Sequence, residues 1–174
     1  MKINNPTNWE TATNYIKRYA KQIEALFPEL SNVELDITTM DSLQKDGTNP
    51  LLYEERSLTD NKPRIYYDED VVKTITDEQQ LFALISHEIG HMLAHYKQEK
   101  REGVEGEIAA DNYVIKLGLG KELLNALILL KDNYNNNRDT NFDFLPNMSE
   151  SYSKTNEQLN NRIEIIKKLL SVEL

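Results

Sequence analysis

The chain has 174 residues, the size of a single domain that can bury most of its apolar surface in one core. It contains no cysteine, which excludes a disulfide framework, a thiolate metal site and a cysteine nucleophile, so nitrogen and oxygen must hold any metal. The net charge of −9 argues against nucleic acid as the main partner, because phosphate binding needs clustered Lys and Arg, and it favours solubility.

The N-terminal MKINNPTNWETATNYIKRY lacks the roughly 7 consecutive apolar residues of a secretory signal, and no later stretch approaches the roughly 18 of a membrane span. A cytoplasmic protein without membrane association is the expectation. Asn8 is placed to cap a helix from about Trp9 to Leu26, whose Ala12, Tyr15, Ile16, Tyr19, Ile23 and Leu26 recur at helical spacing until Phe27-Pro28 ends it. Val33 to Ile37 alternates apolar and acidic residues as a half-buried strand does. The turn-rich segment from Gln44 to Pro63 holds a short strand around Leu51 to Tyr53, and Arg64 to Tyr67 predicts another strand.

Thr76-Asp77-Glu78-Gln79 offers a cap with acidic residues in the first turn. It opens a long helix to about Glu99, with Leu81, Phe82, Leu84, Ile85, Ile89, Met92 and Leu93 at helical spacing. Gly103 and Gly106 break it before a second helix, from Val104 or Glu107 to Leu117, and Gly118 and Gly120 precede a third carrying Leu123, Leu124, Leu127 and Leu130. The polar run Asn133 to Asn141 predicts an exposed loop. A last helix over about 156–170 places Leu159, Ile163, Ile166 and Leu170 on one face.

Residues 87 to 91 read His-Glu-Ile-Gly-His. Four helical positions amount to about 6 Å of rise and 40° of rotation, so His87 and His91 project from one face, as two ligands of one zinc must. Glu88 lies beside them but offset around the helix, where it can take a proton from water instead of occupying the metal. Two histidines do fall four apart by accident on amphipathic helices. Here, however, the chain's three histidines all sit between positions 87 and 95, in its most apolar helix.

A catalytic zinc needs a third protein ligand. Glu107-Ile108-Ala109-Ala110-Asp111 provides two carboxylates one turn apart, with alanines small enough for a close helix approach. Glu107 is the expected third ligand, and Asp111 is expected to accept a hydrogen bond from the far nitrogen of a ligand imidazole. A solvated acidic face is the plainer meaning of these two residues, and Glu102 and Glu105 compete for the role, but neither has an aspartate four positions later. His95 lies about 12 Å along the axis from His87, too far to share one ion.

His-Glu-x-x-His followed by Glu-x-x-Ala-Asp resembles the gluzincin zinc metallopeptidases, in particular the branch of the CaaX prenyl proteases, HtpX and the small soluble minigluzincins. Lys62 to Tyr67 resembles that branch's substrate-binding edge strand, Asp77 to Leu81 its lead into the active-site helix, and Asn161-Arg162-Ile163 its C-terminal Arg-Ile signature. Membrane helices and a His-Pro before the Arg-Ile pair are absent, and the spacer from His91 to Glu107 is short. A second, weaker resemblance is to the ImmA and IrrE peptidases that act on repressors, which usually carry Asn where this chain has Asp111.

The resemblance implies an α+β fold, a mainly helical zincin-like domain with a small sheet before the active-site helix. A single metallopeptidase domain over 1–174 is the expectation from length, and the resemblance covers about 60–118, the metal-binding core, plus 155–170, with a C-terminal helix of about 156–170. The resemblance also implies one zinc per chain, a protein or peptide substrate lying along Arg64 to Tyr67, and Arg162 near the cleft, supporting Asp111 or substrate. Tyr66, Tyr113 and Tyr152 each offer a hydroxyl for the transition-state oxyanion. The rival expectation is a silent or latent zinc-binding module that sequesters a protein partner.

Overall fold

The computed structural model describes residues 1–41, 50–55, 62–99, 103–141 and 146–172, with side chains omitted at 136–141, 146–155 and 172. In chain order the elements are β1 (Lys2–Asn4), α1 (Glu10–Leu26), a 3-10 turn (Pro28–Leu30), β2 (Glu34–Thr39), β3 (Leu51–Glu54), β4 (Arg64–Tyr67), α2 (Glu69–Val72), α3 (Glu78–Tyr96), α4 (Gly103–Lys116), α5 (Gly120–Asn141) and α6 (Pro146–Val172). This is an α+β fold, mainly helical, with one four-stranded mixed sheet.

The strand order is β1-β2-β4-β3, with β1, β2 and β4 parallel and β3 antiparallel to β4. The expectation that Arg64 to Tyr67 forms the substrate-binding edge is therefore corrected: β4 is hydrogen-bonded on both sides, and among the described residues β3 is the edge. In β3 the Pro50 carbonyl accepts from Asp68 N at 3.0 Å, so it faces β4. Antiparallel alternation then turns the main-chain groups of Leu51 and Tyr53 away from β4, towards the open edge.

Helix α3 is the hub, touching α1, β3, α4 and α5. Twelve of its nineteen residues are buried, because it is apolar nearly all round. It starts as expected, with Asp77 accepting from Gln79 N at 2.8 Å, and it ends at Tyr96 rather than Glu99. Against it α1 lays Tyr15 and Tyr19, whose rings meet Phe82 edge to face at 5.7 and 5.5 Å.

Asn8 does not cap α1. It has φ of 55°, and the N-cap position falls to Trp9, with no side-chain cap; Asn5 braces the turn before it, accepting from Trp9 N at 3.1 Å and donating to Trp9 O and Thr13 Oγ1. The run Asn133 to Asn141 is not a loop either, since α5 continues through it. Asn disfavours a helix by only about 0.7 kcal/mol per residue, and Tyr134, buried to 7 % exposure, anchors the stretch to the fold. Helix α6 begins ten residues before the expected Asn156, with Pro146 at its first position, where a missing N–H is harmless. Strand β1 and α2 carry too few residues to show a period.

The α3–α4 crossing is unusually close. A Cβ on Gly90 would meet Ala110 Cα at 2.8 Å and Ala110 O at 3.0 Å, both backbone atoms. Helix α4 then ends on Gly118, φ 79°, where Leu119 N reaches back to Val114 O at 3.2 Å. We expect Gly90→Ala to lose about 1–3 kcal/mol in urea denaturation, the cost of forcing packed backbones apart. Helix propensity alone would favour alanine by about 1 kcal/mol, so a neutral or stabilising result would show that α4 gives way.

Candidate metal centre and cleft

Helices α3 and α4 bring His87, His91 and Glu107 together, so that one ligand atom from each lies within 4.8 Å of the others. His87 Nε2 is 3.1 Å from His91 Nε2 and 3.2 Å from Glu107 Oε2, and His91 Nε2 is 3.3 Å from Glu107 Oε1. Donors about 2.0–2.1 Å from a tetrahedral ion stand about 3.3 Å apart, so this group can hold a metal ion. The formal charges agree with that fit. Glu107 and Asp111 both pair with the one guanidinium of Arg162, and the Glu88 charge acts on it through space, leaving negative charge for a cation to neutralise.

Asp111, buried on α4, accepts from His87 Nδ1 at 2.8 Å, which fixes the proton on Nδ1 and leaves the Nε2 lone pair for a metal. Arg162 of α6 grips both carboxylates. Its Nε and Nη2 donate to Asp111 Oδ2 and Oδ1 at 2.9 and 2.7 Å, and Nη1 meets Glu107 Oε2 at 2.7 Å. Arg162 as a whole residue is 9 % exposed, so these charge-assisted bonds act largely away from water. The structure thus places Arg162 against Asp111, as the resemblance implies, and adds a contact with Glu107 that sequence reasoning missed.

Burial pushes the carboxyl pKa values of Glu107 and Asp111 up, but it is outweighed, at Glu107 by bonds from His87 and His91 and the charges of His87 and Arg162, and at Asp111 by the bonds and charges of His87 and Arg162, so both lie below the usual range. For His87, burial and the Arg162 charge push down, yet the bonds to Asp111 and Glu107 prevail and raise it to about 9. Burial likewise opposes the Arg162 charge, which Asp111 and Glu107 restore.

The centre opens into a cleft of about 360 Å³. His87 is buried, while His91 and Glu107 stay about a quarter to a third exposed on the cleft side. The cleft floor carries His87, Glu88, His91, Glu107 and Arg162, one wall is β3 from Leu51 to Tyr53, and Leu127, Leu130 and Leu159 of α5 and α6 form another. Both walls lie outside the expected core of about 60–118: Leu127 and Leu130 stand in the sequence as one apolar helix face, and β3 as a short strand in a turn-rich segment. Glu88 faces β3, where its Oε2 accepts from Tyr53 N at 2.9 Å.

His95 takes no part, pairing with Glu55 at 3.1 Å on the surface. Glu105 is exposed on α4. Neither Tyr66, which donates to Glu54 at 2.8 Å, nor Tyr113, buried at the α3–α4 crossing, lines the cleft. The Tyr152 side chain lies outside the described residues. No helix among the described residues is long and apolar enough to cross a membrane. No known family profile matches the chain, and neither a curated protein nor a solved structure matches it.

Two outcomes are expected. Arg162→Ala and Asp111→Ala should each weaken metal binding on the order of 10 to 100-fold in competition with a chelator, and Glu107→Ala should weaken it more, whereas Glu105→Ala should leave it intact. In metal-free protein, the stability that His87 contributes through its raised pKa is complete below 6.5 and is lost as pH rises through about 9. Metal binding near neutral pH should therefore release about one proton, read by calorimetry in buffers of different ionisation enthalpy.

Proposed function

We propose that this chain is a zinc-dependent metallopeptidase of the gluzincin kind. The observation that carries the reading is the open side of the ligand group. Three nitrogen and oxygen donors face a cleft in which Glu88 stands beside them and β3, the outermost strand among the described residues, runs past. A structural zinc site is closed by four protein ligands and has no use for an adjacent carboxylate base, whereas a catalytic one keeps a position for water. The absence of cysteine and the nitrogen-rich donor set favour zinc over harder ions.

His87, His91 and Glu107 would hold the ion, one per chain, and the bound ion would supply a Lewis acid that acidifies water and polarises a carbonyl. The remaining work belongs to the chain. Asp111 orients His87, and Arg162 holds Asp111 and Glu107 against each other. Glu88 takes the proton from the attacking water and delivers it to the leaving amine. An extended protein or peptide segment would add to the edge of β3 through the outward groups of Leu51 and the Tyr53 carbonyl, with apolar side chains against Leu127, Leu130 and Leu159.

The test separates a peptidase from a zinc-binding module that only holds a partner. Glu88→Gln keeps size and shape but removes the base, so zinc content should stay at one per chain while cleavage of labelled casein falls by about 10²-fold or more. Cleavage equal to wild type at equal zinc content would leave the metal site standing and remove the hydrolase.

A further inference from the structure

Resting on the peptidase reading, we propose that the main-chain N–H of Tyr53 is a positioning group for Glu88, tying the base to the strand edge on which the substrate docks. Tyr53 N donates to Glu88 Oε2 at 2.9 Å, across 35 positions of sequence. The donor is available because β3 is the edge strand and its pleat turns Tyr53's main-chain groups away from β4. Its acceptor is a carboxylate, which makes the bond stronger than one between neutral groups.

A glutamate side chain has three rotatable bonds, and Glu88, on the cleft face of α3, is only half-buried. Packing alone does not fix its carboxylate. The Tyr53 bond fixes one oxygen, and among the described residues Oε1 accepts no hydrogen bond, so it is left to meet water. Because β3 also carries the proposed substrate, base and scissile bond share one rigid reference. Small errors in such placement are costly to rate.

Tyr53→Pro deletes this N–H without touching the β3–β4 ladder, since proline is tolerated on an edge strand where its nitrogen faces outward. Leu52, the residue before it, is already extended, as proline requires. If the ring disturbs folding, replacing Tyr53 by its α-hydroxy acid analogue deletes the N–H and keeps the side chain. Tyr53→Ala, which keeps the N–H, measures what the phenol alone contributes.

Tyr53→Pro relative to Tyr53→Ala, and the α-hydroxy acid analogue relative to wild type, should each lower kcat by about 10-fold or more on a fluorogenic peptide selected by the wild type, with KM changed less than about 3-fold and zinc content unchanged. In a Glu88→Gln background the same deletions should cause no further loss, because the group they position is gone. An equal loss in both backgrounds, or none in either, overturns the proposal. Equal activity of wild type and Glu88→Gln instead removes the peptidase reading, and the proposal with it.

A second readout needs no activity. The Tyr53 amide should be protected from hydrogen exchange in the wild type, and Glu88→Ala should speed its exchange by about 10-fold or more while leaving amides of the β3–β4 ladder unchanged. Unprotected wild-type exchange at Tyr53 overturns the assignment.

Discussion

Where α3 and α4 cross, the backbones approach so closely that a methyl group on Gly90 would strike Ala110 at 2.8 Å, and this contact sets where Glu107 stands. At that separation the two carboxylate oxygens of Glu107 stand 3.2 Å from His87 Nε2 and 3.3 Å from His91 Nε2. Ala109 and Ala110, both buried, allow the approach from the other side. The donor geometry is thus a packing result before it is an electrostatic one.

Once the helices are that close, the charges they bring must be balanced in a place with little water. Arg162 does this from a third helix, spanning Asp111 and Glu107 with bonds of 2.7 to 2.9 Å. Removing one member of such a buried network leaves the others uncompensated, which is why these groups act as a unit. The same network explains why His87 holds a proton so readily in the absence of a metal. Its nitrogens face two carboxylates, and either a proton or a cation must answer them.

The cleft joins surfaces that differ in chemistry. Its floor is ionic, one wall is the half-paired backbone of β3, and the far wall is leucine from α5 and α6. A strand edge offers main-chain donors and acceptors to any extended chain, while the leucines reward apolar side chains, so affinity and selectivity would come from different walls. Glu88 sits where these surfaces meet. Its bond to Tyr53 makes the strand part of the ionic floor as well as a wall.

The local part of this arrangement was legible in the sequence, because helix period is a local property. His87, Glu88 and His91 share a helix by spacing alone, Glu107 and Asp111 stand one turn apart on the next, and Asp77 caps as expected. The rest was decided at longer range. Which strand forms the edge depends on strand order, so Arg64 to Tyr67, read as the edge, is an inner strand, and the short Leu51–Glu54 is the outer one. Helix α5 runs through the Asn-rich stretch because buried Tyr134 offsets weak propensity that no local pattern could overrule. The Tyr53 N–H carried no signal whatever, since every residue but proline has one, and only the folding of β3 against α3 decided that this one meets a carboxylate.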